Sequence, residues 1–206
     1  MNNIEMEYKW DANVKQSFTR AKQALRKLTN QYIQRVLRIT DTYLDHATAD
    51  FAKEHVAFRV RCVQNKWEAT FKTCTAIKKG KAVRREETLS LPSVKNLQQA
   101  LEVLTRKQKW KGLPVAHLQI QFTLVNKRII YELKFENTCL ELALDNVTMN
   151  VCGRQLKMKE IELELKQGSI QIFEKFANAF AKQTQLKPVQ ISKVKTAETL
   201  YKLFSK

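Results

Sequence analysis

Glu160-Ile161-Glu162-Leu163-Glu164-Leu165-Lys166 alternates charged and oily residues without a break. Successive side chains of a strand point to opposite faces, so Glu160, Glu162, Glu164 and Lys166 share one side while Ile161, Leu163 and Leu165 share the other. The same pattern opens the chain in Glu5-Met6-Glu7-Tyr8-Lys9 and returns in Phe58-Arg59-Val60-Arg61, Glu68-Ala69-Thr70-Phe71-Lys72 and Glu141-Leu142-Ala143-Leu144-Asp145. The charged faces mix acids with bases too consistently to be solvated coats. They suit metal ions and a polyanion bound together. Curling the sheet with its charges inward, and covering the oily outer faces with helices, gives a barrel around a polar tunnel.

Working outward from these strands, further ones are expected near 32–45, 56–63, 67–74 and 82–91. More lie between 115 and 150, with turns at Asn126-Lys127 and Glu136-Asn137. The segment 46–55 reads as a loop. Four helices accompany them. Val14, Phe18, Ala21, Leu25 and Leu28 form one apolar stripe, and Val94, Leu97, Leu101 and Leu104 form another, with Ser93 as its expected N-cap. A third begins at Gly168-Ser169 and carries Phe173, Phe176 and Phe180; the last spans about 193–204. The order argues for an antiparallel α+β fold of about eight strands, with all 206 residues in a single domain.

Composition narrows the function. The chain is 44% hydrophobic and 28% charged, which describes a globular protein, and no apolar run approaches the roughly 20 residues of a membrane span. No secretory leader is evident, so the cytoplasm is the expected location and no membrane partner is expected. Cys62, Cys74, Cys139 and Cys152 lack the spacing of a zinc site and read as reduced packing residues. A net charge of +17 favours anionic partners, nucleic acid among them. His46, His55 and His117 have no triad-like context.

The ordered set of charged strands resembles the CYTH superfamily of triphosphate tunnel metalloenzymes, and most closely its bacterial inorganic triphosphatases. Glu5 to Lys9 matches an ExExK opening, Asp41-Thr42-Tyr43-Leu44-Asp45 a D-x-Y-x-D strand, Phe58 to Arg61 an R-x-R strand and Thr70-Phe71-Lys72 a T-x-K ending. Arg84-Arg85-Glu86, Arg128 with Tyr131, Glu141 to Asp145, Glu160 to Glu164 and Ser192-Lys193 follow in the family's order. Where the family often has a glycine before the R-x-R strand, this chain has Glu54-His55, so a differently shaped loop is expected.

The resemblance implies a closed eight-stranded antiparallel barrel with a polar lumen and helices outside, binding a linear triphosphate with Mg²⁺ or Mn²⁺. Hard divalent cations prefer carboxylate oxygens, and the implied metal residues are Glu5, Glu7, Asp145, Glu160, Glu162 and Glu164. Phosphate oxygens need fixed cations along their length, and the implied substrate residues are Lys9, Arg59, Arg61, Lys72, Arg84, Arg128 and Lys193. Glu5 and Glu7 are the catalytic carboxylates in this reading, and Tyr43 and Lys72 stand where thiamine-triphosphate-cleaving relatives carry a catalytic pair. Glu86, Glu141 and Asp45 remain open between tunnel carboxylates and partners of nearby arginines. The expected activity is metal-dependent hydrolysis of inorganic triphosphate to diphosphate and phosphate. The alternatives are a nucleoside, RNA-end or thiamine triphosphatase or class IV adenylyl cyclase of the same superfamily, or a non-catalytic polyphosphate or RNA binder. A monomer or homodimer is expected.

Overall fold

A computed structural model describes residues 3–73, 78–110 and 112–205, so Cys74 and Lys111 lie outside the described residues. Strand β1 (Asn3–Asp11) leads into helix α1 (Ser17–Leu28) and the long strand β2 (Tyr32–Asp45). The short helix α2 (Asp50–Lys53) precedes three strands, β3 (Val56–Val63), β4 (Lys66–Thr73) and β5 (Lys81–Ser90). Helix α3 (Leu97–Lys107) and the small ribbon β6 (Lys109–Trp110) and β7 (Leu113–Pro114) come next. Three long strands, β8 (Gln119–Phe135), β9 (Thr138–Val151) and β10 (Arg154–Gln167), are followed by helices α4 (Ile170–Thr184) and α5 (Lys193–Phe204).

Eight antiparallel strands close in the order β1-β10-β9-β8-β2-β3-β4-β5, as expected from the alternation. Closure depends on β1, which pairs with β10 through Glu7 opposite Glu164 and with β5 through Glu5 opposite Arg84. With every ladder paired, the barrel leaves none of its eight strands as an open edge. No helix among the described residues is long and apolar enough to cross a membrane.

The oily outer faces are buried in two places. Trp10, Leu140, Leu142, Leu144, Ile161 and Leu163 pack beneath α1 and α4, where Phe173, Phe176 and Phe180 are fully buried. Each such side chain contributes roughly 1.5–3 kcal/mol of burial. Phe58, Val60, Ala69 and Phe71 form a second core with Leu104 of α3 and Trp110. A third cluster is unlike these, because it forms on the barrel's inner face. Tyr43, Phe122, Leu124, Val147 and Met149 alternate in phase with the lumen residues Asp41, Arg128 and Asp145, and Val194, Ala197, Leu200 and Phe204 of α5 pack onto them. The last helix therefore caps one end of the lumen.

Three sequence expectations change. Asn126 and Lys127 lie within β8 rather than in a turn: both are paired with β2 and with β9, which satisfies the backbone on both sides. The α3 cap is Asn96, whose side chain accepts from Gln99 N at 2.9 Å, instead of Ser93. The loop expected at 46–55 contains α2, making five helices among the described residues. Before the R-x-R strand, His55 takes φ +55°, the left-handed region in which glycine is most at ease.

Candidate active site

The alternation of each barrel strand delivers its polar side chains to a lumen of about 300 Å³. β1 contributes Glu5, Glu7 and Lys9, β3 contributes Arg59 and Arg61, and β4 and β5 contribute Lys72, Arg84 and Glu86. Arg128 of β8 and Glu162 and Glu164 of β10 face the same space, and Ser192-Lys193 enters it at the start of α5. Lys9 is fixed by its backbone as well: its N–H donates to Gly80 O at 2.8 Å and its carbonyl accepts from Val189 N at 3.0 Å. Gly80 sits at φ +80°, and a Cβ there would come within 2.8 Å of that carbonyl.

The charges sort into three groups. In the first, Asp145, Glu160 and Glu162 each offer a carboxylate oxygen within 4.8 Å of the others. The Lys193 ammonium lies 2.7 Å from Asp145 Oδ2, 3.2 Å from Glu160 Oε1 and 2.8 Å from Glu162 Oε1. Arg128 donates to both Asp145 oxygens at 2.6 Å and also contacts Glu162, which Lys9 contacts in turn. In the second group, Arg84 pairs with Glu5 at 3.0 Å and with Glu7, while Lys72 pairs with Glu86. In the third, Arg61 grips Asp41 with two hydrogen bonds of 2.6 and 2.9 Å, and Arg59 lies 3.7 Å from the same carboxylate.

Burial and charge set the protonation of these groups. Burial would raise the Glu162 carboxyl, but Lys193, Lys9 and Arg128 outweigh it and hold the group well below its ordinary range. Glu160 is raised, because its burial exceeds the help of Lys193 and Lys9. Burial followed by the neighbouring Arg59 lowers the Lys72 ammonium. Burial, aided by Asp41, pushes the Tyr43 phenol up to about 12, so it stays protonated at neutral pH.

The sequence model of the CYTH domain matches residues 3–198. The chain belongs to the CYTH domain family. No curated protein sequence matches it. Solved structures share the CYTH barrel at low identity. HpAC1 of Hippeastrum, an adenylyl cyclase candidate described as having a dominant triphosphatase activity, is 16% identical with a TM-score of 0.68, the match covering 95% of each chain. The PH1819 protein of Pyrococcus horikoshii OT3 is 20% identical with a TM-score of 0.67, covering 96% of this chain and 99% of the other. The mimivirus capping enzyme triphosphatase is 12% identical with a TM-score of 0.57, covering 90% and 91%.

Within this CYTH barrel the residues singled out in the sequence are distributed unequally. Asp145, Glu160 and Glu162 form the three-carboxylate group, whereas Glu5 and Glu7 sit with Arg84 and Glu164 pairs with Lys166 at 2.8 Å. Lys9 links the two sides, standing 2.9 Å from Glu7 while contacting Glu162. Tyr43 borders the lumen but stacks on Phe122 at 4.8 Å. Of the open carboxylates, Glu86 faces the lumen and pairs with Lys72, and Glu141 faces it 3.9 Å from Lys166. Asp45 is neither a lumen carboxylate nor an arginine partner: it accepts the N–H groups of His46, Phe51 and Ala52 at 2.7 to 3.1 Å, holding α2. Sequence reading left Asp41 without a role, although its alternation with Tyr43 places it on the lumen face.

Asp41 gives the site a measurable acid sensitivity. Burial raises its carboxyl, and Arg59 and Arg61 overcome this and hold it well below the usual carboxylate range. A depressed folded pKa stabilises the fold fully above the unfolded value of about 3.9, and that stability is lost as pH falls through the folded value. Wild-type urea midpoints are therefore expected to fall more steeply than those of Asp41→Asn as pH drops below about 4. Parallel curves would remove Asp41 as the source.

Proposed function

We propose that the lumen hydrolyses inorganic triphosphate to diphosphate and phosphate in a reaction dependent on Mg²⁺ or Mn²⁺. The observation that carries this reading is the three-carboxylate cluster of Asp145, Glu160 and Glu162, which borders the lumen through Glu162 beside a set of inward-facing arginines and lysines. The donor set fits a hard divalent cation: it is all carboxylate, and Glu160 Oε2 is buried with no hydrogen-bond partner among the described residues. Asp145, Glu160 and Glu162 would hold the ion, with Glu5 and Glu7 on the adjoining wall and Glu164 further along β10. When bound, Mg²⁺ or Mn²⁺ supplies charge neutralisation at phosphoryl oxygens and acidifies water.

The chain's own side chains do the rest. Arg59, Arg61, Arg84 and Arg128 present forked donors to phosphate oxygens, and Lys9, Lys72 and Lys193 add compact charges. Phosphoryl transfer is chiefly positioning and charge stabilisation, so no covalent nucleophile is required. Glu5 and Glu7 orient water by accepting its hydrogens. Lys72, with its lowered pKa, is suited to protonate the leaving diphosphate, and the neutral Tyr43 phenol donates without losing its proton. The Hippeastrum and mimivirus structures, both described as triphosphatases, support the reaction class but carry only the fold.

Phosphate release from equal concentrations of triphosphate, ATP and thiamine triphosphate, with Mg²⁺, with Mn²⁺ and with chelator, tests the proposal. Fast metal-dependent cleavage of bare triphosphate that is lost in Glu7→Gln is the expected result. Selective ATP or thiamine triphosphate cleavage would transfer the activity to another CYTH substrate, and absence of turnover with all three would leave a polyanion binder. The net charge of +17 favours nucleic acid as a second anionic partner, at the outer surface.

A further inference from the structure

The helices leave part of the barrel's outer wall open. Beyond the apolar rows that α1 and α4 cover, the outward side chains of β2, β8, β9 and β10 line up across the sheet through the strand register. Arg38 lies opposite Lys127, Lys127 opposite Asn146 and Asn146 opposite Lys159, and all four are exposed. In the next row Thr40 lies opposite Val125, Val125 opposite Thr148 and Thr148 opposite Lys157, all exposed except the half-buried Thr148. Directly opposed residues of paired strands share a face, and the lumen residues Ile39, Arg128, Glu141 and Glu162 keep the opposite phase on the same strands, so both rows point outward.

The two rows span three strand spacings, about 14 Å, and lie about 7 Å apart along the strands. Their charge is all of one sign. Among the described residues, no Asp or Glu stands on the outward phase of these four strands, and none of Arg38, Lys127, Lys157 and Lys159 is in an ion pair. Lys159 instead stands over the Phe18 ring at 5.5 Å, and Lys22, one turn on from Phe18, adds a cation on the same flank of α1. The acid at the rim, Asp11, is taken by Asn13, whose N–H and Nδ2 donate to it at 2.9 and 2.7 Å.

We infer that this outer wall is a docking surface for the backbone of double-stranded RNA. It is separate from the lumen and does not depend on the hydrolysis proposed above. Cations without acids select a polyanion, and the interleaved Thr40, Asn146 and Thr148 offer hydroxyl and amide groups that hydrogen-bond phosphate and sugar oxygens. A protein partner calls for aromatic anchors at the centre of the patch, where this wall has Val125. Single strands are held by stacking on aromatic rings, and the aromatic residue in line with the second row, Trp67, is packed against the α3 core. A duplex is too wide to enter a lumen of about 300 Å³. Between duplexes, B-form DNA is read by elements inserted into its major groove, whereas A-form RNA presents a wide, shallow minor groove lined with 2′-hydroxyls against which a smooth wall can lie.

The test follows binding of a blunt RNA duplex of about 20 base pairs, with 5′-hydroxyl ends, by fluorescence anisotropy between about 50 and 200 mM salt. Four phosphate contacts give an expected slope of log affinity against log salt of about −3 to −4. Lys127→Gln/Lys157→Gln and Arg38→Gln/Lys159→Gln, each checked for an unchanged melting transition, are expected to bind at least about tenfold more weakly at about 50 mM salt and to flatten the slope by about 2. The control Lys107→Gln/Lys109→Gln removes the same charge from exposed positions on α3 and β6 and is expected to stay within about threefold of wild type. An equal loss in the control would reduce the binding to net charge and overturn the docking surface. Equal or tighter binding of a DNA duplex of the same sequence, of the single strand or of phosphatidylserine vesicles would overturn the choice of partner, and no RNA binding at about 50 mM salt would overturn the inference outright.

Discussion

Replacing Glu162 by glutamine is expected to lower the initial rate of triphosphate hydrolysis about a thousandfold in the folded variant. Glu162 is the carboxylate on which the first charge group converges: Lys193 lies 2.8 Å from it, and Lys9 and Arg128 contact it as well. Glutamine keeps the volume and one acceptor oxygen but removes the charge that would hold a divalent cation. The three cations would then be drawn towards Asp145 and Glu160 and away from a phosphate chain. Both effects weaken charge stabilisation in the transition state, where buried electrostatics contribute most. The check is single-turnover phosphate release at saturating Mg²⁺, alongside Mn²⁺ binding followed by electron paramagnetic resonance. A variant retaining more than about a tenth of the rate would place the metal and its chemistry elsewhere in the lumen.

Lys9→Met is the substitution with the largest expected cost to the fold, about 3–5 kcal/mol at neutral pH. Lys9 is 3% exposed and contacts Glu7 and Glu162, with Glu160 at 3.7 Å, so its removal leaves buried carboxylates short of compensation. Burial lowers the Lys9 pKa, but Glu162 and Glu160 more than reverse this and raise it above its ordinary value. A raised folded pKa means that this stabilisation is complete below the unfolded value of about 10.4 and is lost only as pH rises through the folded one, so physiological pH lies well inside the window. Equilibrium urea unfolding at pH 7 with chelator measures the loss. Millimolar Mn²⁺ is expected to return part of it, since the same carboxylates would then be compensated by a bound cation. A loss below about 1 kcal/mol would show that the carboxylates relieve the imbalance by taking up protons.

What could be read from the sequence followed the lumen's polarity. Wherever the inner face is charged, as in Glu5-Glu7-Lys9 or Glu160-Glu162-Glu164, alternation exposed the strand and its inward side. Where α5 caps the barrel, Phe122, Leu124, Val147 and Met149 face inward without charge, and period-two polarity fades. The aliphatic run Leu37-Ile39 was hidden in the same way. Asn126-Lys127 looked like a turn because its residue types favour one, whereas ladders on both sides hold it extended. Helix α2 is four residues long and rests on the Asp45 side chain, too little for a periodic signal.

The grouping of carboxylates was beyond a one-dimensional reading. Glu160 lies opposite Asp145 on β9 and Glu162 lies opposite Lys9 on β1, so the stagger between strands decides which acids meet. That stagger puts Glu5 and Glu7 beside Arg84 and Lys72. The motif residues were recognisable, but their partition into three charge groups required the closed barrel.

The seam at β1 has a consequence for the order of assembly. Residues 3–11 are made early, yet one of their two partners, β10, spans residues 154–167. The hairpins β3-β4 and β8-β9-β10 can zip locally, but the ring stays open until β1 finds a neighbour from the other end of the chain. Such long-range pairing is slow, and until it happens Met6, Tyr8 and Trp10 lack their shelter beneath α4. The charged interior comes into being only at that last step, so a refolding chain should acquire anion binding together with closure rather than ahead of it.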